Sequence, residues 1–284
     1  MIDLHTHTSA SDGTLEFGEL VLEAKRVGLN AIAITDHDSV DSAMKITGRE
    51  PVKTIPGIEI TVFDSEFDYE DIHVLGLFIN PKNILLSKTL KKLEKEREDQ
   101  KKATIVKLQE LGYEITFDQV RKKAAGSIGR PHIAKTLIEK YPQEFRSIGE
   151  VFDKLLDRHG KAYVERKTFF GFRAAISLIK NSGGLSFIAH PGHYPYDKKL
   201  IADFKAVGGD GIEVYYNYHL NQKKISENES TRLIENYHSI SCEFDLLESG
   251  GSDFHGANKG HALGEFSVPD ELLISLKKQL RKPL

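Results

Sequence analysis

The feature that most constrains this sequence is a set of polar residues that recur at the ends of predicted strands along nearly the whole chain. The set comprises six histidines and three acids: His5, His7, Asp12, His37, Glu59, His73, His190, Asp253 and His255. In a parallel α/β barrel the carboxyl ends of the strands converge on one rim. The pattern therefore predicts that residues far apart in the sequence meet in a single pocket.

Strands alternate with amphipathic helices outside the central third of the chain. The apolar run at 31–35 is typical of a strand that is buried on both faces. Other strands are predicted at 2–4, 54–59, 72–79, 185–189, 210–215 and 248–251, and helices at 172–179, 222–237, 269–280 and between a Thr14 cap and Gly28. This alternation predicts βα units, a parallel sheet and a barrel-like closure.

The central segment 83–170 interrupts this alternation with helical segments and no convincing strand. Its first part, 86–111, is dense with Lys and Glu, which is typical of a solvated helix face. We therefore predict a barrel formed by 1–82 and 171–284, with an inserted helical subdomain at 83–170.

Charge and hydropathy limit the possible partners. A net charge of −3 argues against a protein that grips long nucleic acid through a wide basic face, although a small phosphate ester could still bind. No apolar run approaches the roughly 18 residues that a membrane-spanning helix needs, and the first residues lack the pattern of a signal peptide. We expect a cytoplasmic protein with no membrane partner, for which a monomer is plausible.

Cys242 is the only cysteine of the chain. An intrachain disulfide cannot form, and a zinc site of the thiolate type is excluded. The sequence favours a buried, chemically inert role for this thiol.

Local spacing indicates which of the polar residues chelate metal. Residues two apart on a strand point to the same side, so the pair His5 and His7 suits chelation of one ion, and Asp253 with His255 repeats this geometry. The polar groups around His37 follow the buried apolar run at 31–35. Burial of polar groups costs free energy unless they bind a partner such as a metal ion. A single histidine in an apolar strand, such as His73, is more often a hydrogen-bonded core residue than a ligand.

Six ordered motifs together resemble the polymerase and histidinol phosphatase (PHP) superfamily. They are Asp3-Leu4-His5-Thr6-His7-Thr8, Ser11-Asp12-Gly13-Thr14, Ile34-Thr35-Asp36-His37-Asp38, Pro56-Gly57-Ile58-Glu59-Ile60, Ala189-His190-Pro191-Gly192 and Gly251-Ser252-Asp253-Phe254-His255-Gly256. Within it, Ile128-Gly129-Arg130-Pro131-His132 and Gly160-Lys161-Ala162-Tyr163-Val164 are similar to the branch of nucleoside 3′,5′-bisphosphate phosphatases and 5′-to-3′ oligoribonucleotide exonucleases.

The resemblance implies a distorted, TIM-like (β/α)7 barrel with three divalent metal ions. By this analogy the first ion is held by His5, His7, Glu59 and Asp253, the second by Glu59, His73 and His190, and the third by Asp12, His37 and His255. Histidine donors without cysteine suit Mn, Zn or Fe better than Mg. The expected reaction is attack of a metal-bound hydroxide on a phosphomonoester.

Three further residues are candidates for contact with the substrate. Pro131 suits the start of a helix, which would place Arg130 at a helix N-terminus, where backbone N–H groups favour a phosphate. His132 and His193 could bind phosphate or assist the leaving group. After Val164 the branch has a proline and a lysine, whereas this chain reads Glu165-Arg166-Lys167, so the basic residue that faces the substrate there stays open.

Four functions remain compatible with the sequence. The first is release of phosphate from a nucleoside 3′,5′-bisphosphate, and a close alternative is 5′-to-3′ exonucleolytic trimming of short RNA or DNA. A histidinol-phosphate-type phosphatase is a third possibility, against which the inserted segment weighs. The fourth is a metal-binding regulatory module without catalysis, which the full set of ligand residues disfavours.

Overall fold

The structure is a computed structural model that describes residues 1–123, 128–165, 170–222, 224–257, 260–266 and 268–280. The basic pair Arg166-Lys167 lies outside these residues. The chain divides into two compact units, one formed by Met1–Lys88 with Phe169–Leu284 and the other by Thr89–Thr168.

The first unit is built on one sheet of seven strands, which lie side by side in chain order. The strands are β1 (Ile2–Asp3), β2 (Ala31–Ile34), β3 (Lys53–Asp64), β4 (Tyr69–Leu77), β5 (Leu185–Ile188), β6 (Gly211–Tyr216) and β7 (Leu247–Gly251). The backbone N–H of Leu4 donates to Gly250 at 3.1 Å, and that of Asp253 donates to His5 at 2.9 Å. These bonds join the two ends of the sheet into a nearly closed barrel.

The direction of β4 corrects the expectation of a parallel sheet. This strand pairs antiparallel with both β3 and β5, while the other neighbouring pairs are parallel. The turn between Asp64 and Tyr69 is too short for the crossover that two parallel neighbours require. The last part of β3 and the first part of β4 therefore lie at the same end of the barrel.

The interior of the barrel is filled by apolar side chains of several strands. Leu4, Ala33, Leu75, Phe187 and Ala189 belong to one buried cluster. Burial of such side chains stabilises the fold by about 1.5–3 kcal/mol for each large one. The polar residues at one rim are thus held by a packed apolar core.

Ten α-helices fall within the described ranges. They are α1 (Phe17–Arg26), α2 (Ile84–Glu110), α3 (Phe117–Arg121), α4 (Arg130–Lys140), α5 (Ile148–Val151), α6 (Phe172–Asn181), α7 (Asp197–Ala206), α8 (Tyr218–Asn221), α9 (Glu227–Glu243) and α10 (Asp270–Leu280). Two boundaries differ from the expectations. Glu16, not Thr14, caps α1, and its backbone N–H donates to the Glu19 carboxylate at 2.8 Å. The helix predicted at 222–237 is replaced by α8 and α9, with Ser226 as the cap of α9.

The second unit contains no strand in its described parts, 89–123 and 128–165. Its helices pack around Leu108, Ile133, Leu137, Phe145 and Leu155. This apolar core is separate from that of the barrel.

Among the described helices, none has the length and apolar character needed to cross a bilayer. Cys242 is exposed near the end of α9, so the prediction of a buried thiol is wrong. The apolar face of α9 is supplied by residues such as Tyr237 and Ile240, and Cys242 lies off that face.

Candidate metal centre

Strand register places the candidate ligands at one rim of the barrel. His5 and His7 follow β1, His37 follows β2, His190 follows β5, and Asp253 follows β7. Each of these positions lies at the carboxyl end of a strand, where βα loops of barrels gather.

Glu59 and His73 reach the same rim in a different way from the one the sequence indicated. Both lie inside strands, since β3 continues to Asp64 and β4 begins at Tyr69. Glu59 pairs with Leu75, so His73, two residues away, projects from the same face. The antiparallel hairpin brings both side chains into the centre.

The first group of ligand atoms surrounds the two histidines after β1. Glu59 Oε2 is 3.2 Å from Nε2 of both His5 and His7. Asp253 Oδ1 is 3.3 Å from His5 Nε2 and 3.1 Å from His7 Nε2. Four side chains from three strands thus direct their donor atoms at one point.

Glu59 is also the centre of a second group. His37 Nδ1 lies 2.9 Å from its Oε2, and His73 Nδ1 lies 3.0 Å from its Oε1. His190 Nε2 is 3.1 Å from the same Oε1. Both oxygens of this one carboxylate are therefore surrounded by imidazole nitrogens.

The third group forms around Asp12, in the loop that follows His7. Its Oδ1 is 3.2 Å from His255 Nε2, 3.9 Å from His7 Nδ1 and 4.0 Å from His37 Nε2. The three groups share members, because Glu59, His7 and His37 each belong to two of them. The structure thus brings all of the predicted ligand residues into one connected cluster.

Glu213 is a residue of this site that the sequence reasoning missed. It is completely buried on β6, its two oxygens lie 3.1 and 3.2 Å from His5 Nδ1, and one accepts the backbone N–H of His190 at 2.7 Å. When this carboxylate accepts a hydrogen bond from His5 Nδ1, the other ring nitrogen, Nε2, faces the centre and is the one available to a metal ion. A single acid within an apolar strand was the available signal.

Three other buried acids hold the loops of the site in place. Asp3 accepts from the backbone and hydroxyl of Ser252 at 3.0 and 2.6 Å. Asp36 accepts the backbone N–H of Thr8 at 2.7 Å, and Asp38 accepts that of Thr61 at 3.0 Å. The polar residues on either side of His37 therefore fix the rim.

Two of the candidate ligands have left-handed backbone. His190 has φ of 30° and Asp253 has φ of 56°. Such conformations cost about 1–3 kcal/mol in residues other than glycine and concentrate at functional sites. At both positions the backbone is strained to direct the side chain into the cluster.

Electrostatics favour a positive charge on some imidazoles of the cluster, whereas burial lowers the pKa of the His37 ring. Burial opposes charge on His7 and His73. The carboxylates of Asp253 and Glu59 outweigh it at His7 and raise its pKa to about 10, and Glu59 outweighs it at His73 and raises that pKa to about 9. Burial would raise the pKa of Glu59 and of Asp253, yet the surrounding imidazoles hold both well below the usual range. Without metal, protons on the imidazoles thus offset the negative charge of the buried carboxylates. Bound cations can supply that positive charge instead.

The arrangement fits divalent metal ions. Within the described residues, Nδ1 of His7, Nδ1 of His37 and Oε2 of Glu59 are buried and form no hydrogen bond of good geometry, although His37 Nδ1 lies only 2.9 Å from that oxygen. His5 Nε2 and His7 Nε2 are only 3.1 Å apart, so two lone pairs meet unless a proton or a cation lies between them. Buried nitrogen and oxygen donors arranged in this way fit divalent metal ions.

Arg130 and His132 lie in the second unit, at the start of α4. Arg130 is the first residue of the helix, after the cap Gly129, which confirms its predicted position at a helix N-terminus. Its Nη1 lies 3.5 Å from the carbonyl of Leu156. His132 Nδ1 accepts the backbone N–H of Gly129 at 2.9 Å, so one of its ring nitrogens stabilises the helix start.

His193 lies beside the cluster, in the short 3-10 turn after β5. Its ring stacks on His190 with centroids 4.5 Å apart and meets the edge of Tyr216 at 5.1 Å. Burial, with the neighbouring His190, lowers the pKa of His193 to about 3. At neutral pH this ring is uncharged, so it can donate a hydrogen bond but is a poor source of protons.

A barrel with a shared cluster of imidazoles and carboxylates at its rim defines a metal-dependent hydrolase, in which cations would activate water and bind an anionic substrate.

Comparison with known proteins narrows this class. Residues 3–171 match the PHP domain. The chain is 32% identical to a 5′-3′ exoribonuclease of Haemophilus influenzae, with 89% of each chain covered. It is 28% identical to a 3′,5′-nucleoside bisphosphate phosphatase of Chromobacterium violaceum, over 91% of this chain and 88% of that one. A crystal structure from Bifidobacterium adolescentis, described as a metal-dependent phosphoesterase, superimposes with a TM-score of 0.76 at 27% identity, covering 98% of this chain and 96% of the other.

The chain therefore belongs to the PHP-domain family. It is a metal-dependent phosphoesterase with the TIM-like barrel of that family, as the sequence predicted.

Proposed function

We propose that this enzyme releases phosphate from a small nucleotide, converting a nucleoside 3′,5′-bisphosphate to the 5′-monophosphate. The observation that carries the proposal is the sharing of Glu59, His7 and His37 between three groups of ligand atoms. Similarity to the C. violaceum phosphatase over 91% of this chain supports the substrate class. The net charge of −3 fits a small substrate better than a long polyanion.

We further propose that the cluster holds three divalent ions of Mn, Zn or Fe. The first would bind to His5, His7, Glu59 and Asp253, the second to Glu59, His73 and His190, and the third to Asp12, His37 and His255. When bound, such ions lower the pKa of water and neutralise charge on the phosphoryl group.

Side chains of this protein would orient the metal-ligand histidines and the substrate. Glu213 would hold His5 in the tautomer that directs Nε2 at the centre, and the carbonyl of Asp253, 2.7 Å from His255 Nδ1, would do the same for His255. His193 would donate a hydrogen bond to a substrate oxygen from its uncharged ring. Arg130 would bind a phosphate with its guanidinium at the N-terminus of α4, and His132 would contact the same phosphate through its outer nitrogen.

A 5′-to-3′ exonuclease acting on short RNA is the second candidate. The 32% identity to the H. influenzae exoribonuclease, over 89% of both chains, favours it. Both reactions cleave a phosphate ester and would use the same metal-ligand residues. The two activities would differ in how much of the substrate binds outside the metal centre.

A substrate panel tests the proposal. Manganese-loaded protein is mixed separately with adenosine 3′,5′-bisphosphate, histidinol phosphate and a 5′-phosphorylated RNA oligomer, and the products are resolved by chromatography. We expect phosphate and AMP from the first with the highest kcat/KM. Mononucleotides from the RNA at higher kcat/KM would establish the exonuclease instead, and no product from any substrate would overturn both.

A further inference from the structure

A second group of metal-ligand side chains lies on the surface of the barrel unit, away from the rim. It consists of His238 and Cys242 on α9 and Glu248 on β7. One donor atom from each of the three residues lies within 4.8 Å of the other two. Glu248 is near the start of β7 and Asp253 follows its end, so at about 3.3 Å per residue the two are about 16 Å apart along the strand.

The positions of these residues on α9 and β7 bring their donor atoms together. His238 and Cys242 are four residues apart on α9 and therefore lie on the same side of the helix, with Cys242 Sγ 4.0 Å from His238 Nε2. Glu248 Oε1 lies 2.7 Å from His238 Nδ1 and also accepts from the Ser241 hydroxyl. The carboxylate is thus held between the helix and the strand.

We propose that His238, Cys242 and Glu248 form a separate surface site for one zinc-like divalent cation. A neutral imidazole, a thiolate and a carboxylate carry two negative charges, which such an ion neutralises. Ligands at about 2.0–2.3 Å from a tetrahedral ion are about 3.5 Å apart. Cys242 Sγ and His238 Nε2, at 4.0 Å, would close by about half an ångström, and Glu248 Oε1 would exchange its hydrogen bond with His238 Nδ1 for the ion. Three protein ligands would leave the fourth position to water.

Accessibility separates this site from the buried centre. The His238 side chain is 56% exposed and that of Glu248 is 16% exposed, and Cys242 is exposed. Free cations can therefore reach it directly. A count of one cysteine does not exclude a thiolate that is combined with an imidazole and a carboxylate, so the exclusion of thiolate zinc sites drawn from that count was too broad.

The single cysteine makes the proposal directly testable. The full chain is first saturated with Mn²⁺ and then titrated with Co²⁺, while the near-ultraviolet sulfur-to-cobalt charge-transfer band is recorded. Only Cys242 can produce this band, so metal at the rim does not contribute to it. We expect a band that saturates at one equivalent of Co²⁺.

Variants establish the other two ligands. C242S should abolish the band, and H238A and E248Q should each weaken Co²⁺ binding by at least about tenfold, since loss of even an outer-shell partner has that effect. E243Q is the matched control, because Glu243 is adjacent to Cys242 but pairs with Lys198. Circular dichroism checks that each variant is folded.

Two results would overturn the proposal. One is the absence of the band in the unaltered protein at a large excess of Co²⁺. The other is a band of unchanged affinity in both H238A and E248Q, which would mean that the thiol binds alone. Alkylation gives an independent check: Zn²⁺ should slow modification of Cys242 in the unaltered chain and in E243Q, but not in H238A.

Discussion

The barrel unit and the helical unit position their functional side chains by different means. In the barrel, residues as distant as His5 and Asp253 meet because strand pairing brings their backbones together. In the helical unit, Arg130 and His132 are placed by a local helix start at Gly129. The candidate ligands of the barrel therefore depend on many coupled strand contacts, whereas the candidate residues of the helical unit depend on one local helix start.

The largest effect is expected for E59Q. Both oxygens of Glu59 lie within 3.2 Å of imidazole nitrogens, so an amide in its place removes one oxygen donor and the charge. Activity should fall by more than about 100-fold, the upper figure for outer-shell partners, and metal content should fall with it. Metal analysis and phosphate release measure both. E66Q, which alters an exposed pair with Arg173, is the control, and full metal content in E59Q would contradict the prediction.

E213Q should have the next largest effect. The amide can still contact His5, but it loses the charge that favours a proton on Nδ1, so metal affinity should fall by about 10–100-fold. Excess Mn²⁺ should restore much of kcat, which a purely structural defect would not allow. Isothermal titration measures the affinity. An affinity equal to that of the unaltered protein would remove Glu213 from the positioning role.

Metal binding should depend on pH because the metal-free cluster binds protons. His7, with a pKa of about 10, and His73, with one of about 9, are protonated at neutral pH, whereas a metal needs them neutral. Apparent affinity should rise at least about tenfold per pH unit between about 6 and 9. Calorimetry in buffers of different ionisation enthalpy measures the released protons, and heats that are independent of the buffer would refute this.

The same shifts predict how pH affects the metal-free fold. A histidine pKa raised above its unfolded value of 6.5 contributes stability that is complete below that value and is lost as the pH rises through about 9 and 10. The melting temperature of metal-free protein should therefore decline over this window. Metal-loaded protein, in which these protons are already displaced, should not show the decline.

R130A tests the helical unit and should have the smallest effect on activity. Loss of a charged hydrogen bond to phosphate, worth about 1.5 kcal/mol at the low end, should lower kcat/KM by about tenfold. Metal content should stay unchanged. R146A, at an exposed arginine of the same unit, provides the control. An unchanged kcat/KM in R130A would remove this residue from the substrate site.

Much of the fold followed from patterns that the sequence displays directly. The apolar run of β2, the helix at Phe172 and the start of α4 at Arg130 agree with the structure because local spacing, apolar periodicity and proline chemistry determine them. The predicted barrel class is confirmed by the superposition on the B. adolescentis structure. The inserted subdomain at 83–170 stays a prediction. To call a segment an insertion is to compare this chain with related chains.

The parts that the sequence did not reveal depend on tertiary contacts. The direction of β4 follows from the short turn after Asp64, a boundary that apolar patterning locates poorly. Glu213 became recognisable only when β6 was placed next to His5 and His190. The exposure of Cys242 depends on which face of α9 packs on the sheet, and the single cysteine gave no indication of its proximity to Glu248.

The central claim, that distant side chains share several cations at the barrel rim, is tested most directly by anomalous diffraction from manganese-loaded crystals at the manganese absorption edge. The account predicts three adjacent peaks: one bounded by His5, His7, Glu59 and Asp253, one by Glu59, His73 and His190, and one by Asp12, His37 and His255. A map with no peak within bonding distance of Glu59 would contradict it.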